Sequence, residues 1–172
     1  MIQKAEKNDI ASITQSYIEL FSYESEHGSY TNWISGLYPS ERTAQKSFQD
    51  GNLYVLKENG LLCGSMILNH IQPTEYQIIC WHYPAKPSEV LVLHTLCIPP
   101  SQKGNGYGKQ LLNYAMQYAT QTGCKVLRLD TWEGNRPAAA LYEKMGFRFA
   151  GTAPMLLQGA IQEQQLFYER KV

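Results

Sequence analysis

The sequence predicts an α/β (α+β) domain built on one mixed, mostly antiparallel sheet with helices flanking it, and three observations predict it. The stretch "NLYVLKENGLLCGSMIL" at 52–68 has two β-rich runs around Asn59-Gly60, the dipeptide that suits a two-residue type I′ hairpin turn. Residues 89–132 read as strand, helix, strand, and a crossover helix of that length makes the two strands parallel and the connection right-handed. Apolar residues at 44% and aromatics at 12% of 172 residues supply a core for one domain, expected to span 1–172.

The other elements are taken in chain order. Ile2 to Ala5 is expected as a short first strand. Asn8 stands at an N-cap position, after which Ile10, Ile13, Tyr17, Leu20 and Phe21 recur at helical spacing. Residues 22–40, interrupted by Gly28, Gly36 and Pro39, are expected to be irregular, and Ser40 caps a short helix ending near Gln49. The apolar run from Tyr76 to Tyr83 is expected to extend the antiparallel sheet. "EVLVLHTLCI" at 89–98 is a strand that stops at Pro99-Pro100, because proline brings no amide donor to a ladder.

In the next helix Leu111, Ala115, Tyr118 and Thr122 line one face with Leu112 and Ala119 beside them, and Gly123 ends it. "KVLRLDTW" at 125–132 is the following strand. Asn135 and Pro137 open a helix in which Ala138, Leu141, Tyr142 and Met145 share a face, and Gly146 closes it. "FRFAG" at 147–151 and "EQQLFYERK" at 163–171 are the expected closing strands.

Charge and cysteine content narrow the function classes. Lys+Arg 15 balance Asp+Glu 15, without the basic surplus of a dedicated nucleic-acid binder. Cys63, Cys80, Cys97 and Cys124 are widely spaced with no C-x-x-C pair, and three of them sit inside apolar runs, which reads as buried thiols rather than a metal or redox centre. Reduced cysteines, a charged N-terminal stretch and the lack of any apolar run of membrane-spanning length predict a cytoplasmic protein with no membrane partner.

The chemistry-bearing stretch is "PPSQKGNGYGKQLL" at 99–112, where Gly104, Gly106 and Gly108 alternate at a helix entrance. Glycines there leave bare amides at the positive end of a helix, the setting that binds phosphate. The P-loop pattern fails, since Lys103 stands where glycine is required and Gln110 follows Lys109. The dinucleotide fingerprint fits at Gly104 and Gly106 but has Lys109 as its third residue. Asp130 sits near a ribose-binding position, yet too little chain follows it for a doubly wound nucleotide domain.

The third signature fits both the loop and the chain downstream of it. Lys103, Gly106 and Gly108 occupy the positions of a Gln/Arg-x-x-Gly-x-Gly/Ala loop between strand and helix, and Asn135, Leu141-Tyr142 and Gly146-Phe147 form a second motif. In these two motifs, over about 89–150, the sequence resembles the GNAT superfamily of acetyl-CoA-dependent N-acetyltransferases. Lys103 in place of Gln or Arg is a departure that keeps a cation beside the pyrophosphate position.

The resemblance implies that the parallel pair is splayed and that acetyl-CoA, with no metal, is the cofactor. It implies that the amides of Lys103, Gly104, Asn105, Gly106, Tyr107, Gly108 and Lys109 cradle the pyrophosphate. Leu96 and Ile98 would hold the pantetheine arm by their backbone, and an amide near Leu96 or Cys97 would polarise the thioester carbonyl. Asn135, with Ala138 nearby, would hold cofactor or a bridging water, and Tyr142 would be the general acid for the departing thiolate. The glutamate that many members carry on the strand before the loop is replaced by Val92. His94, two residues on, is the candidate base, equally readable as a half-buried histidine bonded to a carbonyl. Glu89 is a weaker candidate.

The implied reaction is direct attack of a primary amine, from a small molecule or peptide, on the acetyl thioester. Tyr23, Glu24, Glu26, Trp33, Tyr38, Trp81, His82 and Tyr168 are the candidate acceptor contacts. A non-catalytic acetyl-CoA-binding module and a nucleotide-dependent oxidoreductase are the competing readings. The acceptor's identity, the length of the acyl group and homodimer formation stay open at this level.

Overall fold

The computed structural model describes residues 1–172. The strands are β1 (Ile2–Lys4), β2 (Leu53–Glu58), β3 (Leu61–Asn69), β4 (Val90–Cys97), β5 (Val126–Trp132), β6 (Arg148–Leu157) and β7 (Ile161–Lys171). The helices are α1 (Asp9–His27), α2 (Glu41–Gln49), α3 (Tyr107–Gln121) and α4 (Arg136–Lys144). The strands form one seven-stranded open sheet in the order β1-β2-β3-β4-β5-β7-β6. The sheet is mostly antiparallel with one parallel pair, β4 with β5, as the sequence predicts. No helix is long and apolar enough to cross a membrane.

The chain gathers into two compact units. One comprises Met1–Ser29, Trp33–Leu68 and His94–Leu111, and the other Tyr30–Asn32, Asn69–Leu93 and Leu112–Val172.

In the first unit, β1, β2 and β3 form an antiparallel meander. Asn59 and Gly60 both take left-handed φ, 51° and 78°, which a type I′ turn requires. α1 buries Ile13, Tyr17 and Leu20. Asn8 occupies its N-cap position without a side-chain bond. The neighbouring Asp9 carboxylate accepts the Glu6 amide at 2.9 Å and pairs with Lys57 at 2.5 Å. α1 also runs to His27, beyond the expected start of irregular chain at residue 22. The Tyr23 and His27 rings stack at 4.1 Å one turn apart and support that last turn, and Gly28 at φ 90° ends it.

In the second unit, β5 pairs with β7 along its whole length, and β7 with β6. Val90, Val92, Ala153, Met155 and Phe167 form a dry cluster on one sheet face, joined by Tyr76 and Ile79. The expected strand from Tyr76 to Tyr83 is instead a 3-10 turn, Thr74–Ile78, followed by irregular chain. Its aromatic residues serve as plugs on the sheet face rather than as ladder partners. Tyr76 lies edge-on to Phe167 at 5.3 Å, and the Trp81 indole donates to the Tyr76 carbonyl at 2.8 Å.

The closing strands exceed expectation. β6 and β7 form a long hairpin whose turn places Gln158 and Gly159 at φ 53° and 70°, and residues 152–162 carry no strong strand signal to announce it. Pro154 is tolerated because β6 is the sheet edge. Thr122 lies past the end of α3 and is exposed rather than on the core face.

Candidate functional site

In the first unit β4 ends at Cys97, and a 3-10 turn at Pro100–Gln102 leads into the glycine run. Gly104 and Gly106 hold φ of 85° and 77°, and a methyl group added to either would meet nothing within 4 Å. These two glycines are there for backbone conformation, and they leave the approach to the loop open. Gly108 is different: it lies inside α3, so its conformation makes no such demand. The Lys103 amide, expected in the cradle, is instead taken by the Pro100 carbonyl at 3.2 Å, and from Gly104 onward the first amide to find a partner inside the chain is that of Gln110, on the Gly106 carbonyl at 3.2 Å. The amides from Gly104 to Lys109 are thus a run of unpaired donors at the N-terminus of a fifteen-residue helix. The donor set fits a pyrophosphate.

The surroundings hold this loop in place. Asn105 donates to the Gln102 carbonyl at 3.2 Å, and the Tyr107 hydroxyl donates to Glu58 at 2.9 Å, tying the start of α3 to the end of β2. Gly64 on β3 lets the next layer approach, because a Cβ there would stand 2.6 Å from Ile98 Cδ1 and 2.9 Å from Leu111 Cδ1. A glycine inside a strand signals such an approach. Lys103 carries its ammonium over the Tyr23 ring, 4.2 Å from the centroid, and burial lowers its proton affinity.

The end of β4 is irregular. Thr95 takes φ 49°, a left-handed conformation costly for a β-branched residue, at roughly 1–3 kcal/mol. Its hydroxyl meets the Tyr38 hydroxyl at 2.5 Å, and Trp33 packs edge-on against Tyr38 at 5.9 Å. His94 is half-buried, next to this strained residue. The Cys97 thiol is buried, 3.9 Å from Ser16 Oγ, and its pKa is pushed up to about 12 by burial, so it is inert.

In the second unit the parallel ladder of β4 and β5 runs from Val90↔Val126 to Leu93↔Leu129 and stops there. β5 continues to Trp132. Val92 is fully buried in the apolar cluster. Asn135 caps α4, its Oδ1 accepting the Ala138 amide at 3.2 Å, and leaves its Nδ2 group as donor. Tyr142 is buried at 5% exposure between Phe147 and Tyr168, ring centroids 6.0 and 5.8 Å away. Burial, with the negative charge of Asp130 and of Tyr168 when ionised, raises its proton affinity well above that of a free phenol. It is a neutral hydroxyl holding its proton, and it makes no hydrogen bond inside the chain.

Glu89 is a poor base. It accepts Lys125 at 2.7 Å and the Lys86 amide at 2.9 Å, and these bonds lower its pKa. Trp81 and His82 are structural: Trp81 lies under the Arg128 guanidinium at 4.1 Å, and the His82 amide donates to Glu169. Tyr168 donates to Glu143 at 3.2 Å, Glu24 is buried and accepts Ser29 at 3.0 Å, and Glu26 is exposed.

Three polar residues share one face of the β5–β7 pair: Asp130, which the sequence offered only under the dinucleotide reading, and Glu163 and Gln165, which it did not single out. Asp130 accepts the Tyr76 hydroxyl at 2.6 Å, and burial raises its pKa to about 6. Glu163 accepts Asn32 at 2.7 Å and Gln165 Nε2, and burial raises its pKa too. A lone carboxylate inside the apolar run "KVLRLDTW" is the signal that could have found Asp130.

The sheet is mostly antiparallel with a single parallel ladder whose two strands are joined through a glycine-opened helix, unlike the all-parallel sheets of doubly wound nucleotide folds. The model of the Acetyltransferase (GNAT) family matches residues 11–147, and the chain belongs to that family. A streptothricin acetyltransferase of Streptomyces lavendulae is 33% identical over 73 residues, 42% of this chain and 39% of the relative, so the match spans about two fifths of that protein. A GNAT-family acetyltransferase structure from Streptococcus agalactiae superposes with a TM-score of 0.85 at 20% identity, covering 100% of this chain and 95% of that one. The yncA structure from Salmonella typhimurium, which contains its cofactor acetyl-CoA, gives 0.68 at 18% identity over 99% and 92% of the two chains. Both share the fold.

Proposed function

We propose that this chain acts as one N-acetyltransferase domain over 1–172, transferring the acetyl group of acetyl-CoA to a primary amine. The observation that carries the reading is the run of unpaired amides at Gly104 to Lys109, opened by two left-handed glycines. When bound, acetyl-CoA supplies the activated thioester. The amides from Gly104 to Lys109 bind its pyrophosphate at the positive end of α3, with the Lys103 ammonium as the nearby cation. Leu96 and Ile98 hold the extended arm through their backbone, and the amide of Leu96 or Cys97 donates to the thioester carbonyl oxygen as negative charge develops. In the second unit the Asn135 amide group, with Ala138 nearby, holds cofactor or a bridging water.

Tyr142 keeps its proton at Oη in the resting protein and delivers it to the departing sulfur. His94 takes a proton from the substrate ammonium, and the neutral amine so formed attacks the thioester. The protein's place is the cytoplasm.

Thermal shift with CoA, acetyl-CoA and NAD tests the cofactor: CoA and acetyl-CoA raise Tm, and stabilisation by NAD alone overturns the reading. Tyr142→Phe lowers kcat by about 10²–10⁴-fold with acetyl-CoA Kd unchanged, measured by thiol release and calorimetry. Unchanged turnover removes Tyr142 from the mechanism. His94→Gln abolishes the acidic limb of the pH–rate profile, and an unaltered profile removes His94 as base.

A further inference from the structure

The N-terminus of α3 aims the unpaired amides, so whatever fixes its first turn sets the direction of those donors. Gly104 and Gly106 do not fix it, because glycine leaves the backbone freer than any other residue. The Asn105 side chain bonds within the loop, to the Gln102 carbonyl, and Lys103 meets the Tyr23 ring through a long flexible stem. Tyr107 is different. It is the first residue of α3, its side chain is buried, and its hydroxyl donates to the Glu58 carboxylate at 2.9 Å, 49 positions away in the chain. Glu58, and the buried Cys63 after it, raise the proton affinity of that phenol, so it stays a donor.

The anchor is itself rigid. Glu58 ends β2 and pairs with Leu61 across the two-residue Asn59-Gly60 turn, which fixes its backbone. A second contact stands one turn along α3. Leu111, four residues after Tyr107 and so on the same helix face, is fully buried beside Gly64 of β3, where a Cβ would stand 2.9 Å from Leu111 Cδ1. The β2–β3 hairpin thus grips the start of α3 at two points, a hydrogen bond at its first residue and close packing one turn on. The packing contact alone would leave the first turn free to fray.

Resting on the reading of Gly104 to Lys109 as the pyrophosphate cradle, we propose that Glu58 is a positioning residue for acetyl-CoA, acting through the Tyr107 hydroxyl. Its bond presets the first turn of α3 before the cofactor arrives, so less ordering remains to be done on binding. The acceptor oxygen of Glu58 is what serves here, because a negative charge near an anion site by itself weakens binding.

The test is calorimetry with CoA on the wild-type protein and its variants. Tyr107→Phe and Glu58→Ala should each raise Kd by about 3- to 10-fold. Glu58→Gln keeps an oxygen that accepts the hydroxyl, and it should bind CoA within about 2-fold of wild type, or tighter. The double variant Tyr107→Phe/Glu58→Ala should bind no more weakly than either single one, because both remove the same bond. Wild-type affinity in Tyr107→Phe, a loss in Glu58→Gln equal to that in Glu58→Ala, or additive losses in the double variant each overturn the proposal while CoA binding by the wild type stands. Failure of the wild type to bind CoA is a different result, and it overturns the underlying reading. Tyr107→Phe removes a single oxygen atom, and its titration decides the proposal even if Glu58→Ala does not fold.

Discussion

Strands β5 and β7 bury acids at two places, and the two are treated in opposite ways. At one end Arg128 faces Glu169 across the ladder, the guanidinium 3.5 Å from a carboxylate that is fully buried. Glu169 also accepts the amides of His82 and Tyr83, while Arg128 donates to Gln72 at 2.8 Å and covers the Trp81 ring. That acid straps the 81–83 segment onto the sheet. At the other end Asp130 and Glu163 have neutral donors only, and burial drives their pKa values up. One acid is compensated by a cation inside the chain, and the other two meet neutral donors only. A buried carboxylate that carries its own cation is scaffold, and one that does not is a standing cost to the fold.

This contrast predicts stability changes of opposite sign. Arg128→Met should be the largest, a loss of about 3–5 kcal/mol in urea unfolding, because it leaves Glu169 charged and uncompensated. A loss below about 1 kcal/mol would show that the strap does not depend on the pair. Asp130→Asn should instead stabilise at pH 7, by about 1–3 kcal/mol. The folded-state pKa near 6 lies above the unfolded value, so the ionised carboxylate destabilises the fold at pH 7. That cost begins to lift as pH falls below about 6 and is gone only near the ordinary aspartate value of about 4, so the advantage of the variant should shrink progressively between the two. An advantage that is constant with pH would assign it to packing. Lys125→Ala, which removes the exposed partner of Glu89, should leave Tm unchanged within error.

The strand–glycine–helix unit was legible because it is local. Asn59-Gly60, Pro99-Pro100 and Asn135 each act on their own neighbours through φ, a missing donor or a cap, and the structure finds the hairpin, the strand end and the helix start where those residues stand. Tyr76 to Tyr83 misled because an apolar run specifies burial, not pairing, and here burial is achieved by plugging the sheet face. The left-handed Thr95 had no signal at all, since nothing in a β-branched residue announces a positive φ.

By itself, then, the sequence determined the class of sheet, the hairpin turn, the glycine-opened helix and the pair of motifs that resemble the acetyltransferase family. These rest on backbone chemistry within a few residues of each other. Only the tertiary structure decided that Gly104 and Gly106, but not Gly108, carry the unusual backbone, and that Glu89 is tied to Lys125. It alone brought Asn32, Tyr76, Asp130, Glu163 and Gln165 to one face. Asn32 and Glu163, which bond each other, are 131 positions apart, and strand register, which no local pattern encodes, sets which acids meet a cation and which do not.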